Sequence, residues 1–165
     1  MSFGFSSCNS DTDGTLEMYK DWREFNRTWL LDQFQLKNPD GTSFYESCAM
    51  PTDPQAYVLK HTIGEEHTDA LKPLYTSSTK VNYTLTLAND SVVDQGTDFV
   101  RQLNSTGLIS GWGLAIMQMH VGDSAQFVIP YALGYGTAGA GTIPPYSNLQ
   151  FNIRLLDIPT YEIRP

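Results

Sequence analysis

Residues 107–123, GLISGWGLAIMQMHVGD, with residues 127–136, FVIPYALGYG, and residues 142–158, TIPPYSNLQFNIRLLDI, decide the fold of this chain. The first segment holds a short helix begun near Gly111. Ala125, Phe127 and Ile129 alternate in the strand that follows, and Leu149, Phe151, Ile153 and Leu155 alternate in the last one, as half-buried strands require. A long Gly/Pro loop separates these two strands. Upstream, TKVNYTLTLA sets Val81, Tyr83, Leu85 and Leu87 against Asn82, Thr84 and Thr86, a third half-buried strand. AYVLKHTIG reads as a strand ending at Gly64. Asn89-Asp90 makes a turn before the apolar pair Val92-Val93, and a further strand covers residues 99–103. Strands, one short helix and two more strands imply an antiparallel α+β sheet rather than a βαβ array.

Before this region, Met18, Trp22, Phe25 and Trp29 recur at spacings of three and four, broadened by Leu30 and Phe34, which predicts an amphipathic helix over residues 16–36. NPDG at 38–41 stops it, because Pro39 restricts its neighbour and Gly41 permits a turn. Residues 8–15 read as a small, polar linker. Cys8 sits in FSSC ahead of that linker, and this looks like the end of a bacterial lipoprotein signal with the lipid attached to Cys8. The alternative is an incidental cysteine in a disordered terminus, or half of a Cys8–Cys48 disulfide.

A chain of 165 residues, 41% apolar and 17% charged, fits one domain with room for an additional element. Its net charge of -8 opposes a phosphate backbone, so nucleic acid is excluded as a partner. No run approaches the ~20 apolar residues of a spanning helix.

The succession VNYTLTL, VVD, GLISGWGLAIMQMHVGD, FVIPYALGYG and TIPPYSNLQFNIRLLDI resembles the FKBP-type peptidyl-prolyl cis/trans isomerases. That family shows a strand, a short acidic segment, a helix opened by tryptophan, a Gly-Asp hairpin, a tyrosine-glycine loop, Ile-Pro-Pro and a terminal strand in this order. The resemblance implies an FKBP-like sheet wrapped around one short helix, with 56–165 as the isomerase domain; this leaves 16–55 as an N-terminal helical extension and, on the reading of Cys8, residues 1–15 as leader stub and tether. It also implies the site. Tyr83, Asp94, Ile109, Trp112, Tyr135 and Phe151 take the catalytic positions, with Trp112 as pocket floor, Ile109 offering a backbone N–H and Tyr135 a hydroxyl to the substrate. Phe99, Leu108 and Ile143 fall at substrate-binding positions.

The chain departs from the family at Val93 and at Arg101, where an aromatic and an apolar wall residue are usual, and in a short 95–98 connection and a 135–143 loop shorter by one residue. These departures imply weaker binding of macrolide inhibitors. The implied function is isomerisation of X-Pro bonds during folding of exported polypeptides, with no cofactor and no metal. The protein would be a monomer in the bacterial cell envelope, periplasmic or tethered to the outer membrane through Cys8. The competing class is a non-catalytic FKBP-like module that binds proline-containing or unfolded segments, which Val93 and Arg101 favour.

Other signals are set aside. GYGTAG at 134–139 matches a dinucleotide fingerprint, but AGTIPP follows where a helix would have to open. His61, His67 and His120 lack metal-site spacing and read as surface residues, and Glu65-Glu66 as a solvated turn. The stripe on the N-terminal helix is expected to pack on the sheet, with chain binding or subunit pairing as the alternative.

Overall fold

Burial alternates strictly along the strand Leu149–Asp157 and leaves Leu149, Phe151, Ile153 and Leu155 inside. That alternation directs one face of a sheet onto a core. The computed structural model describes residues 11–159. Cys8 and its proposed lipid therefore lie outside the described residues.

The order of elements is α1 (Asp11–Met18), α2 (Lys20–Gln35), β1 (Glu46–Met50), β2 (Asp53–Ile63), β3 (Ser78–Leu87), β4 (Val92–Gln102), α3 (Ser110–Ile116), β5 (Ser124–Ile129), a 3-10 turn (Tyr131–Leu133) and β6 (Leu149–Asp157). Six strands pair antiparallel in the order β1-β2-β5-β6-β3-β4. The antiparallel α+β architecture expected from the sequence is thus present, a short helix and an N-terminal helix included.

Alternation splits the apolar side chains between two faces. Val58, Leu85, Phe127 and Phe151 join α3 in the larger cluster, whereas Leu59 and Val128 join Tyr45, Trp29 and Leu30 in a smaller one. Each fully buried side chain of this size contributes about 1.5–3 kcal/mol by leaving water. Helix α3 is buried from Gly111 to Ile116. It lies so close to β5 that a Cβ on Gly111 would come within 2.3 Å of Ile129 Cγ2, which is why a glycine stands beside Trp112.

Three expectations need correction. The helical region starts at Asp11, inside the stretch read as linker, and is broken at Tyr19, whose ψ of 18° departs from the helix. Residues 46–55, placed in the N-terminal helical extension, are instead β1 and the start of β2; β1 is a sheet edge where only Cys48 and Met50 lean on the core, so its sequence alternates little. The two short pieces read around residues 92 and 99 are one strand, β4, since its pairing with β3 continues through register shifts on either side of Tyr83.

Helix α2 packs on the sheet face opposite α3, but with a different stripe from the predicted one. Met18 is 76% exposed and Phe25 also faces out, while Asn26 is 1% exposed. Asn26 Oδ1 accepts the Asn148 N–H at 2.8 Å, its carbonyl accepts Asn148 Nδ2 at 2.8 Å, and its Nδ2 donates to the Trp22 carbonyl. Trp22 Nε1 donates to Ser147 Oγ at 3.0 Å, and Arg23 lies over the Tyr146 ring. The N-terminal helix is therefore pinned by polar contacts to the segment that leads into β6.

The turn from α3 to β5 has a similar polar lock. Asp123, 1% exposed, accepts the backbone N–H groups of His67 at 2.6 Å and His120 at 2.8 Å. Burial pushes its carboxyl up, yet the donors from His67 and His120 outweigh this and hold it below its ordinary 3.8. A folded value below the unfolded one means that Asp123 stabilises fully above the ordinary carboxylate range, and that this contribution is lost as pH falls through the folded value. Urea unfolding from pH 7 to pH 3 should show stability falling below about pH 4, with a shallower fall in Asp123→Asn. An unchanged pH slope in that variant would contradict the assignment.

Candidate active site

On the concave face, β3, β4, the start of α3, the 131–136 loop and β6 converge on Trp112. Its ring centroid lies 5.2 Å from that of Tyr83, 5.3 Å from Phe151 and 6.0 Å from Phe99, all near edge-to-face. Tyr83 and Phe99 also meet edge-on at 5.4 Å. Such contacts favour one rigid arrangement beyond the area they bury. The Tyr83 ring lies against the backbone of β4, where a Cβ on Gly96 would come within 2.4 Å of Tyr83 Cε1. Only glycine leaves room for that approach.

These rings border a cavity of about 240 Å³, lined also by Asp94, Arg101, Thr106, Gly107, Leu108, Ile109 and Tyr135. Eight of the nine side chains assigned to the site from the sequence stand around it. Ile143 does not. It is buried in the main core and contributes to a different hollow, beside Met18 and Tyr19. Its loop is closed on itself by the Ile143 N–H to Ala140 carbonyl bond and its reciprocal. Val93, which stands where an aromatic wall residue is usual, packs against the core and is not a lining residue. Arg101, at the position where an apolar wall residue is usual, is a lining residue. Thr106 and Gly107 were missed, since a polar loop residue and a glycine carry no pattern; their place just before Leu108 was the one available hint.

Polar groups in the cavity are few and fixed. Tyr83 Oη donates to Asp94 Oδ2 at 2.9 Å, and Asp94 Oδ1 accepts the Gln95 N–H at 2.8 Å. The Tyr83 hydroxyl is pushed up to about 12, first by burial, then by donating to Asp94 and by that carboxylate's charge. Burial and then Asp94 push Tyr135 up as well. Both phenols are therefore protonated donors throughout the neutral range. Ile109 caps the N-terminus of α3 with extended backbone, ψ 146°, so its N–H has no acceptor within the helix. Trp112 Nε1 is buried and has no hydrogen-bond partner among the described residues, whereas Trp22 Nε1 has one. A buried indole N–H usually finds an acceptor in the protein.

A second polar cluster lies outside the cavity. Ligand atoms of Glu66, His120 and Asp123 gather within 4.8 Å of one another. Glu66 already accepts from the buried Lys60 ammonium at 3.2 Å, which also donates to the Gln118 carbonyl. His120 is mostly buried and His61 stacks on Phe44 at 3.7 Å, so neither is the surface residue expected. Neighbours distant in sequence enclose them.

Known proteins carry the same domain. The pattern of the FKBP-type peptidyl-prolyl cis-trans isomerases matches residues 72–156. FK506-binding protein 2 of Dictyostelium discoideum is 42% identical over 84 residues, which are 48% of this chain and 63% of that protein. The FKBP-type peptidyl-prolyl cis-trans isomerase FkpA of Aeromonas hydrophila is 41% identical over 91 residues, 53% of this chain and 33% of that protein. The chain thus spans less than two thirds of the length of both relatives. A crystal structure of a peptidyl-prolyl cis-trans isomerase from Pseudomonas syringae pv. tomato superposes with a TM-score of 0.67 at 25% identity, covering 92% of this chain and 98% of that one. The likeness therefore extends beyond the matched residues into the N-terminal region. With its sheet, its short buried helix and the aromatic cavity between them, the chain belongs to the FKBP-type peptidyl-prolyl cis-trans isomerase family.

Proposed function

We propose that this domain accelerates cis/trans isomerisation of X-Pro bonds in polypeptides, with the Trp112 cavity as the place of reaction. The observation that carries this reading is the set of four aromatic rings around one hollow, with Trp112 in the middle and its buried indole N–H unpartnered. Rotation about a peptide bond is slow because it breaks amide resonance, a barrier of about 18–20 kcal/mol. The twisted amide has less charge separation than the planar one. A rigid apolar cup with little water favours the twisted state over the ground state, and each ~1.4 kcal/mol of that preference is tenfold in rate. Trp112 supports the proline ring, Tyr83, Phe99 and Phe151 shape the walls, and Asp94 fixes Tyr83. The Ile109 N–H and the Tyr135 hydroxyl hold the peptide carbonyls.

A protease-coupled assay on a short peptide with a bulky apolar residue before proline tests the reading. The wild type should accelerate isomerisation. Tyr135→Phe keeps the shape and removes one hydroxyl, worth about 0.5–1.5 kcal/mol, so turnover should fall roughly twofold to tenfold. No acceleration by a folded wild type that still binds proline peptides would leave the binding-module reading, to which the charge of Arg101 in the cavity lends support.

Folding of exported proteins is the proposed use, in a bacterial cell envelope, with Cys8 carrying the lipid. FSSC ahead of a polar stretch supports the attachment. Mass spectrometry of the native protein decides it: a lipid on Cys8 is expected, and an unmodified N-terminus upstream of Cys8 removes the tether without touching the isomerase reading.

A further inference from the structure

Two lining residues of the Trp112 cavity carry ionised side chains, Asp94 and Arg101, and they differ in how they are engaged. Asp94 accepts the Tyr83 hydroxyl and the Gln95 N–H. Arg101 has no ion pair among the described residues. Its guanidinium carbon stands 5.8 Å from the Phe99 ring centroid, and its backbone is fixed opposite Thr79 in the β3–β4 ladder. Arg101 is exposed and yet lines the cavity, so its side chain stands at the rim, two residues along the edge strand β4 from a ring that walls it. The rest of the molecule works against a negatively charged substrate, with its net charge of -8 and the Asp94 carboxylate inside the cup. A positive group at the mouth therefore decides locally what the whole molecule would repel.

Resting on the reading of this cavity as the place where X-Pro bonds bind, we propose that Arg101 selects segments with an acidic side chain next to the proline. The fork of guanidinium donors suits a carboxylate, and the ring of Phe99 limits the orientations it must lose on pairing. Glutamate beside the proline should be preferred over the neutral glutamine, and lysine should be disfavoured.

The test uses N-acetylated, C-terminally blocked peptides that differ only in Glu, Gln or Lys immediately before proline, with a second series varied immediately after it. Wild type and Arg101→Gln are compared by the Glu-to-Gln ratio of kcat/KM, so that any general change in activity of the variant cancels. In the preferred series the wild-type ratio should be about threefold to tenfold at low salt and shrink as salt is raised, since screening is strong at a site so open to solvent. Arg101→Gln should bring it to one or below, since Asp94 and the net charge then act alone, and Arg101→Lys should retain part of it. Peptide affinities from tryptophan fluorescence provide the same ratio without turnover, so failure of the isomerase reading and failure of the Arg101 assignment separate. A wild-type ratio near one in both series, or a preference that persists undiminished in Arg101→Gln, overturns the proposal and leaves Arg101 a solvated side chain lying over Phe99.

Discussion

Trp112→Ala is expected to lose both stability and catalysis, the largest combined effect of any single substitution in the cavity. Trp112 is 4% exposed and touches three other rings. Truncation leaves a hole where aromatic faces met, and such changes cost about 3–5 kcal/mol. Against a typical domain stability of about 5–15 kcal/mol, the variant should remain folded at low temperature in most of that range. Turnover should fall more than tenfold, beyond the loss in Tyr135→Phe, because water entering the cup favours the planar, polar amide again. Urea unfolding measures the first effect, and the peptide assay, run where circular dichroism shows folded protein, measures the second. Trp112→Phe provides a control that keeps an aromatic surface and should recover part of both. Equal turnover in wild type and folded Trp112→Ala would remove the tryptophan from the mechanism.

The second large effect lies far from the cavity in sequence and joins it through the backbone. In Asn26→Ala the Asn148 N–H loses its buried acceptor, and an unsatisfied buried donor costs about 1–3 kcal/mol. Asn148 in turn accepts the Tyr131 N–H through its Oδ1 at 3.0 Å, and the Tyr131 carbonyl accepts the Gly136 N–H. The segment bearing Tyr135 is thus braced by the N-terminal helix. Asn26→Ala should lower the urea midpoint markedly, while Phe25→Ala, on the exposed face of the same helix, should change it by less than about 0.5 kcal/mol. Faster amide hydrogen exchange in residues 131–148 of the folded variant is the accompanying sign. Comparable midpoints for the two variants would show that α2 is held by its apolar contacts alone.

Much of the sheet was legible because period-two alternation in residues 81–87, 125–129 and 149–155 has one physical meaning, a strand with a buried face. The aromatic set was legible through the resemblance of ordered segments, and Tyr83, Trp112 and Phe151 do meet around one cavity. β1 was not legible. An edge strand needs one partner and little apolar surface, so ESCAM has too weak a pattern to announce itself. Ile143 stands apart from the other eight because adjacency to Pro-Pro says nothing about which side of a loop faces the cavity.

By itself the sequence determined the antiparallel α+β class, the strands at residues 81–87, 125–129 and 149–155, the short helix begun near Gly111 and the family to which the domain belongs. Each of these rests on local periodicity or on ordered segments, which need no knowledge of distant partners. Tertiary structure alone decided that Asn26, rather than Phe25, lies at the centre of the buried face of α2. A polar side chain is stable inside only where its hydrogen bonds are met, and the partner that meets them, Asn148, is 122 residues away. For Arg101 the resemblance marked a wall position, but that no carboxylate among the described residues pairs with it depends on how β4 lies across Trp112, which no stretch of residues around it records.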